Sequence, residues 1–154
     1  MSVAFRRESD EEHKEPKFEL PIPPGPNLVT ARGLALIEAK LRDLDERIAA
    51  GGDEAEIEAL KRDQRYWATR QATAELAPAP DGEEVAFGTR VTCKLGGQGK
   101  TIDIVGDDEA DPANGAISFS APLARAMIGA FVGEKVDFGG KAEAIEIVGI
   151  EVLG

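Results

Sequence analysis

The chain has 154 residues, 42% of them apolar, with 18 Lys and Arg against 29 Asp and Glu, for a net charge of −11. That length holds one sizeable core plus a small appendage, not two large domains. So acidic a chain does not coat duplex nucleic acid by itself, because phosphate affinity comes from Lys and Arg displacing counterions. A basic protein surface or a metal-rich site is the more natural partner. Cys93 is alone, which excludes an intrachain disulfide and a cysteine zinc cluster. The start, Met1 to Arg7, carries no apolar targeting core, and no run approaches the ~18 apolar residues of a membrane span. The expectation is a soluble, cytoplasmic protein that does not touch a membrane.

Residues 1–27 are acidic and proline-punctuated (Glu8, Asp10, Glu11, Glu12, Glu15, then Pro21, Pro23, Pro24, Pro26). Such a composition cannot bury enough surface to offset chain entropy, so a disordered leader is expected, with His13 solvated inside it. From 28 to 76 the pattern changes. Leu34, Ile37, Leu41, Leu44 and Ile48 recur at three-four spacing, the seam of a packed helix. Thr30 precedes it as N-cap, and Gly51-Gly52 ends it. A second helix follows, with Ile57, Leu60, Trp67 and Ala74 on one stripe, interrupted by Gln64 and Gln71. Two helices joined by so short a link run antiparallel, which predicts a hairpin tipped by Gly51, Gly52 and Asp53.

Residues 77–84, with Pro78, Pro80, Asp81 and Gly82, read as a linker. Beyond them, short runs bounded by glycine predict strands at 85–87, 90–95, 101–105, 116–119, 135–138 and 144–153. Between the fourth and fifth, Pro122 to Ala130 predicts one short helix, with Pro122 in its first turn and Gly129 near its end. The fold class is α+β: a helical hairpin on an antiparallel β domain (85–154) with one helix against its sheet.

No nucleophile elbow, phosphate loop or zinc-protease motif occurs. One His and one Cys exclude a catalytic triad or a Cys-His nucleophile. Chemistry must rest on carboxylates, which concentrate at two places. At the hairpin tip, Asp53 and Glu56 share one helix face at i and i+3, so they can jointly offer hard oxygen ligands to a divalent cation. The same spacing is an Asp variant of the capping box, and the two readings are compatible at an exposed tip. The second concentration is Asp107, Asp108, Glu109 and Asp111. It lacks the spacing of an EF-hand and is either a solvated turn or an acidic patch for a basic surface. Lys61, Arg62, Arg65 and Arg70 lie on the second helix, either as its solvated face or as contacts for RNA or a protein partner. Cys93, within a strand, reads as a small core residue.

The second half resembles the FKBP-like C-terminal domain of the Gre family (GreA/GreB) of bacterial transcription elongation factors. The resemblance rests on Val85-Ala86-Phe87-Gly88-Thr89-Arg90-Val91-Thr92 and Ile104-Val105-Gly106-Asp107-Asp108-Glu109-Ala110-Asp111. It continues through Ile117 to Gly129 and closes with Glu146-Ile147-Val148-Gly149-Ile150. In the first half, Leu28-Val29-Thr30-x-x-Gly33-Leu34 resembles the start of the Gre coiled coil, and Gly52-Asp53-x-x-Glu56 its acidic tip.

The resemblance implies a monomeric accessory factor, not an enzyme, whose partner is bacterial RNA polymerase. Its hairpin would enter the secondary channel. There Asp53 and Glu56 would help the polymerase active site cleave backtracked RNA with that enzyme's own Mg²⁺, the factor having no intrinsic cofactor or metal. Asp107, Asp108 and Pro122 would belong to the surface docked on polymerase, while Lys61, Arg62 and Arg65 would contact polymerase or nascent RNA. No sequence-specific DNA binding is implied. The first helix, at roughly 20 residues or about 30 Å, is several turns shorter than the family usually shows. The alternative is therefore a non-catalytic regulator that occupies the channel entrance and competes with cleavage factors. Prolyl isomerase activity does not follow from an FKBP-like fold, and Phe and Tyr are too sparse to line a proline pocket.

Overall fold

The structure is a computed structural model and describes residues 19–153. Most of the expected disordered leader, including His13, lies outside the described residues. The chain divides into two compact units: one of residues 19–24 with 37–72, the other of 25–36 with 73–153.

Helix α1 spans Ala31–Ala50 and helix α2 spans Glu54–Thr73. The predicted seam of α1 is where burial falls: Ile37 and Leu44 are buried, and Leu34, Leu41 and Ile48 are half-buried. Thr30 caps the helix, its hydroxyl oxygen accepting the Gly33 N–H at 2.9 Å. Gly51, at φ 84°, ends it with its N–H donated to the Ile48 carbonyl, the left-handed exit that glycine allows at no steric cost.

Side chains join the two helices at two places. Gln64, which interrupts the apolar stripe of α2, donates to Asp45 on α1 at 2.7 Å. Lys40 lies over the Trp67 ring, 5.9 Å from its centroid. One expectation is corrected here. Arg70 is not part of a solvated face but is 1% exposed, although Thr69 and Gln71 on either side of it are exposed.

In the second unit, β1 (Leu28–Val29) pairs in parallel with β2 (Glu75–Leu76). The pair is tightened by Glu75 N–H to the Asn27 carbonyl, Ala77 N–H to the Val29 carbonyl, and Asn27 Nδ2 to Thr73 Oγ1 at 3.1 Å. Gly106 is required beneath it, since a Cβ there would collide with the Leu28 carbonyl.

The main sheet is built from β3 (Thr89–Leu95), β4 (Gln98–Val105), β5 (Ala116–Ser118), β6 (Lys135–Phe138) and β7 (Lys141–Val152), in the order β5-β4-β3-β7-β6. Two-residue Gly-Gly turns close β3/β4 and β6/β7, all four glycines at positive φ, the geometry a tight hairpin demands. Alternation in β3 puts Thr89, Val91 and Cys93 inside and Arg90, Thr92 and Lys94 outside. On the outer face, Arg90 grips the cross-strand Asp103 at 2.7 and 3.1 Å. Burial pushes the Cys93 thiol up from its ordinary value.

The expected α+β hairpin-and-sheet fold is present, with differences in detail. The sheet is antiparallel except between β4 and β5, which run parallel. The 106–115 connection, with a 3₁₀ turn at Pro112–Asn114, carries the chain back only as far as Asp103, so that β5 lies beside the last three residues of β4. Residues 85–87 are not a strand. Val85 is instead fully buried, exchanging backbone hydrogen bonds with Ala130 and Gly129. The short helix, α3, ends at Met127 rather than Ala130 and buries Ala124 and Met127 against the sheet core.

Candidate functional site

At the hairpin tip, Gly52 frees the chain to turn into α2, and two carboxylates close on each other's backbone. The Glu56 N–H donates to Asp53 Oδ1 at 2.9 Å, and the Asp53 N–H donates to Glu56 Oε1 at 3.1 Å. This reciprocal capping box satisfies amides that a helix start leaves open. A Cβ at Gly52 would lie 2.7 Å from Glu56 Oε1, so the glycine makes room for the returning carboxylate. Both residues are exposed. The cap uses one oxygen of each and fixes the rotamer of both, leaving Asp53 Oδ2 and Glu56 Oε2 outside the cap. Capping and presentation are thus the same geometry. Two carboxylates are fewer than the oxygen set a hard cation takes. Among the described residues no group of three or more His, Cys, Asp or Glu side chains is placed to hold a metal ion.

Along α2, Lys61 is exposed. Arg62 is held by its neighbour Asp63 at 3.0 Å. Arg65 is taken by Glu19 with both arms of its guanidinium, at 2.8 and 2.7 Å. Those hydrogen bonds hold the Glu19 carboxyl below its ordinary value. Glu19 is a residue that composition alone assigns to the leader.

The acidic loop after β4 does not present its acids together. Asp107 Oδ1 accepts from Ser118 Oγ at 2.6 Å and more distantly from Ser120 Oγ at 3.4 Å. That ties Asp107 to the segment leading into Pro122, the first residue of α3. Ser118 and Ser120 therefore join the Asp107–Pro122 surface, although no spacing rule singles them out. Asp108 is half-buried beside them. Glu109 turns the other way. Its side chain is 8% exposed and accepts from Arg32 Nε at 3.0 Å, and it also accepts from Thr30 Oγ1 at 2.6 Å. It belongs to the footing of α1, not to a solvated turn or a displayed acidic patch.

A helical hairpin with a capped acidic tip and a small mixed sheet define the class of architecture. Residues 79–152 match the family model "Transcription elongation factor, GreA/GreB, C-term". The chain is 35% identical over 127 residues to transcription elongation factor GreA of Vibrio cholerae, covering 77% of this chain and 81% of that protein. It is 33% identical to GreA of Pseudomonas aeruginosa, covering 88% of this chain and 85% of that protein. Similar solved structures include GreA factor homolog 1 of Thermus thermophilus (TM-score 0.38, 18% identity, 82% of this chain and 99% of that one). Another is a GreA/GreB factor from Nitrosomonas europaea (TM-score 0.39, 16% identity, 82% and 98%). The chain belongs to the GreA/GreB family of transcription elongation factors.

Proposed function

We propose that this protein binds bacterial RNA polymerase in the cytoplasm and acts through its secondary channel, lending Asp53 and Glu56 to cleavage of backtracked RNA. The observation that carries this reading is the capping box. It holds two exposed carboxylates in one orientation while leaving an oxygen of each outside the cap. In the channel those oxygens would serve as ligands for Mg²⁺ supplied by the polymerase and would orient its water. The factor contributes position and charge, and the bond-breaking belongs to the enzyme it visits. Asp107, Asp108 and Pro122, with Ser118 and Ser120, form the docking surface in this reading, and Lys61, Arg62 and Arg65 face polymerase or nascent RNA. Transcript cleavage by stalled polymerase, with and without the protein, tests it.

A second reading is favoured by the length of the helices, 20 residues each. At about 1.5 Å per residue such a hairpin reaches about 30 Å, and a tip that stops short makes a competitor of cleavage factors. Binding to core polymerase without stimulated cleavage, together with displacement of a cleavage factor, would select this reading.

A further inference from the structure

The contact between Glu19 and Arg65 links the leader to the basic stretch of α2. Leu20 beside it is half-buried, and Glu19, Leu20 and Ile22 line a groove with Arg65, Tyr66 and Ala68. Pro21, Pro23 and Pro24 each fix their own φ and bias the residue before them toward extended backbone. The chain then continues to Asn27, buried and bonded to Thr73. An arginine fork meeting a carboxylate with two parallel hydrogen bonds is the geometry by which a guanidinium also takes a partner's carboxylate or phosphate. Glu19 fills that fork.

We propose that residues 19–24 are a strap acting in cis. Glu19 occupies Arg65 in place of an anionic group of RNA polymerase, and docking of α2 on polymerase displaces it. The proposal rests on the polymerase-binding reading and adds a regulatory element to it. Both side chains are more than half exposed, at 51% for Arg65 and 59% for Glu19, so water screens the pair and its exchange needs no unfolding. What favours the strap is its tether. A group held on a short linker competes at an effective concentration on the order of millimolar, far above that of a polymerase in solution. The strap therefore sets a threshold that a multivalent docking partner exceeds.

The test uses the full chain and its Glu19→Gln variant, which keeps the side-chain shape and removes the charge. In the free protein the Arg65 Nε–Hε NMR resonance should shift in the variant. Its affinity for core RNA polymerase at low salt should rise, by up to about fivefold for an exposed pair. Adding Arg65→Gln should remove the gain. An unmoved Arg65 resonance overturns the strap contact. A shifted resonance with unchanged affinity overturns the masking, while wild-type binding still stands. If no variant binds polymerase, the polymerase reading falls and takes this one with it.

Discussion

Thr30 and Glu109 meet across a 2.6 Å hydrogen bond that spans 79 positions of sequence. The same Thr30 oxygen accepts the Gly33 amide, so one hydroxyl both starts α1 and fastens its first turn to the loop after β4. A Cβ on Gly33 would lie 2.9 Å from Glu109 Oε1, so a larger residue there would push on that carboxylate. Glu109→Ala removes the acceptor of Thr30 and Arg32 together. The expected loss is about 1–3 kcal/mol, the cost of unmaking a buried charged acceptor's bonds. Thr30→Ala should lose about 1 kcal/mol, and the double variant less than the sum, because the two share a bond. Urea denaturation of the three variants measures this directly.

The tip separates stability from activity. In Asp53→Asn/Glu56→Gln the amide oxygens still accept both backbone N–H groups, so stability should change by at most ~1 kcal/mol. Stimulated RNA cleavage should vanish while polymerase affinity stays. A double variant that cleaves like wild type would mean the carboxylates serve the helix alone.

Much of this arrangement is legible in the sequence, and the reasons for the rest are physical. Helix α1 announces itself because burial of Ile37 and Leu44 follows a local period. The β3 strand does so because its inside and outside alternate. Arg70 and Glu109 are illegible for the opposite reason. Each is a charged residue that the fold makes internal, Glu109 through donors at Thr30 and Arg32 far away in sequence, and no local pattern encodes that. β1 and β2 are two residues each, too short to display any period. Their pairing is a property of the two segments flanking the helices that they bring together. Glu19 reads as one more acid in a proline-rich stretch until Arg65 is seen beside it.

Residues 80–154 alone lack β1, β2, Thr30 and Arg32. Glu109 then loses both donors, and the space over Gly106 is left open. We expect the segment to fold around its sheet core but to melt lower than the full chain, by about 4–8 °C for each kcal/mol lost in a domain of this size. Differential scanning calorimetry gives the comparison. An equal melting temperature would show that the footing of α1 contributes nothing to the sheet unit.

The strap contact should respond to acid. Arg65 holds the Glu19 carboxyl below its ordinary value, so the charged pair is fully formed above the ordinary glutamate pKa. It is lost as pH falls through the lowered value. The Arg65 Nε–Hε resonance, followed downward from neutral pH, should move to its Glu19→Gln position along a titration centred below that of a free glutamate. A midpoint at the ordinary value would show that the fork is not closed in solution.

Pairing Leu28 with Glu75 and Val29 with Leu76 has a consequence for how such a chain can change over generations. The polypeptide leaves the sheet unit after position 36 and rejoins it at 73, and the β1–β2 pair outside that stretch ties residues 28–29 to 75–76. The intervening stretch is in effect an insert with a closed base. Lengthening it by matched turns on both helices would alter reach by about 5.4 Å per turn. Closing the longer insert adds little entropy cost, because that cost grows only with the logarithm of length. Hairpin length is thus a nearly free variable for selection, and factors of different reach can descend from one another without any redesign of the sheet.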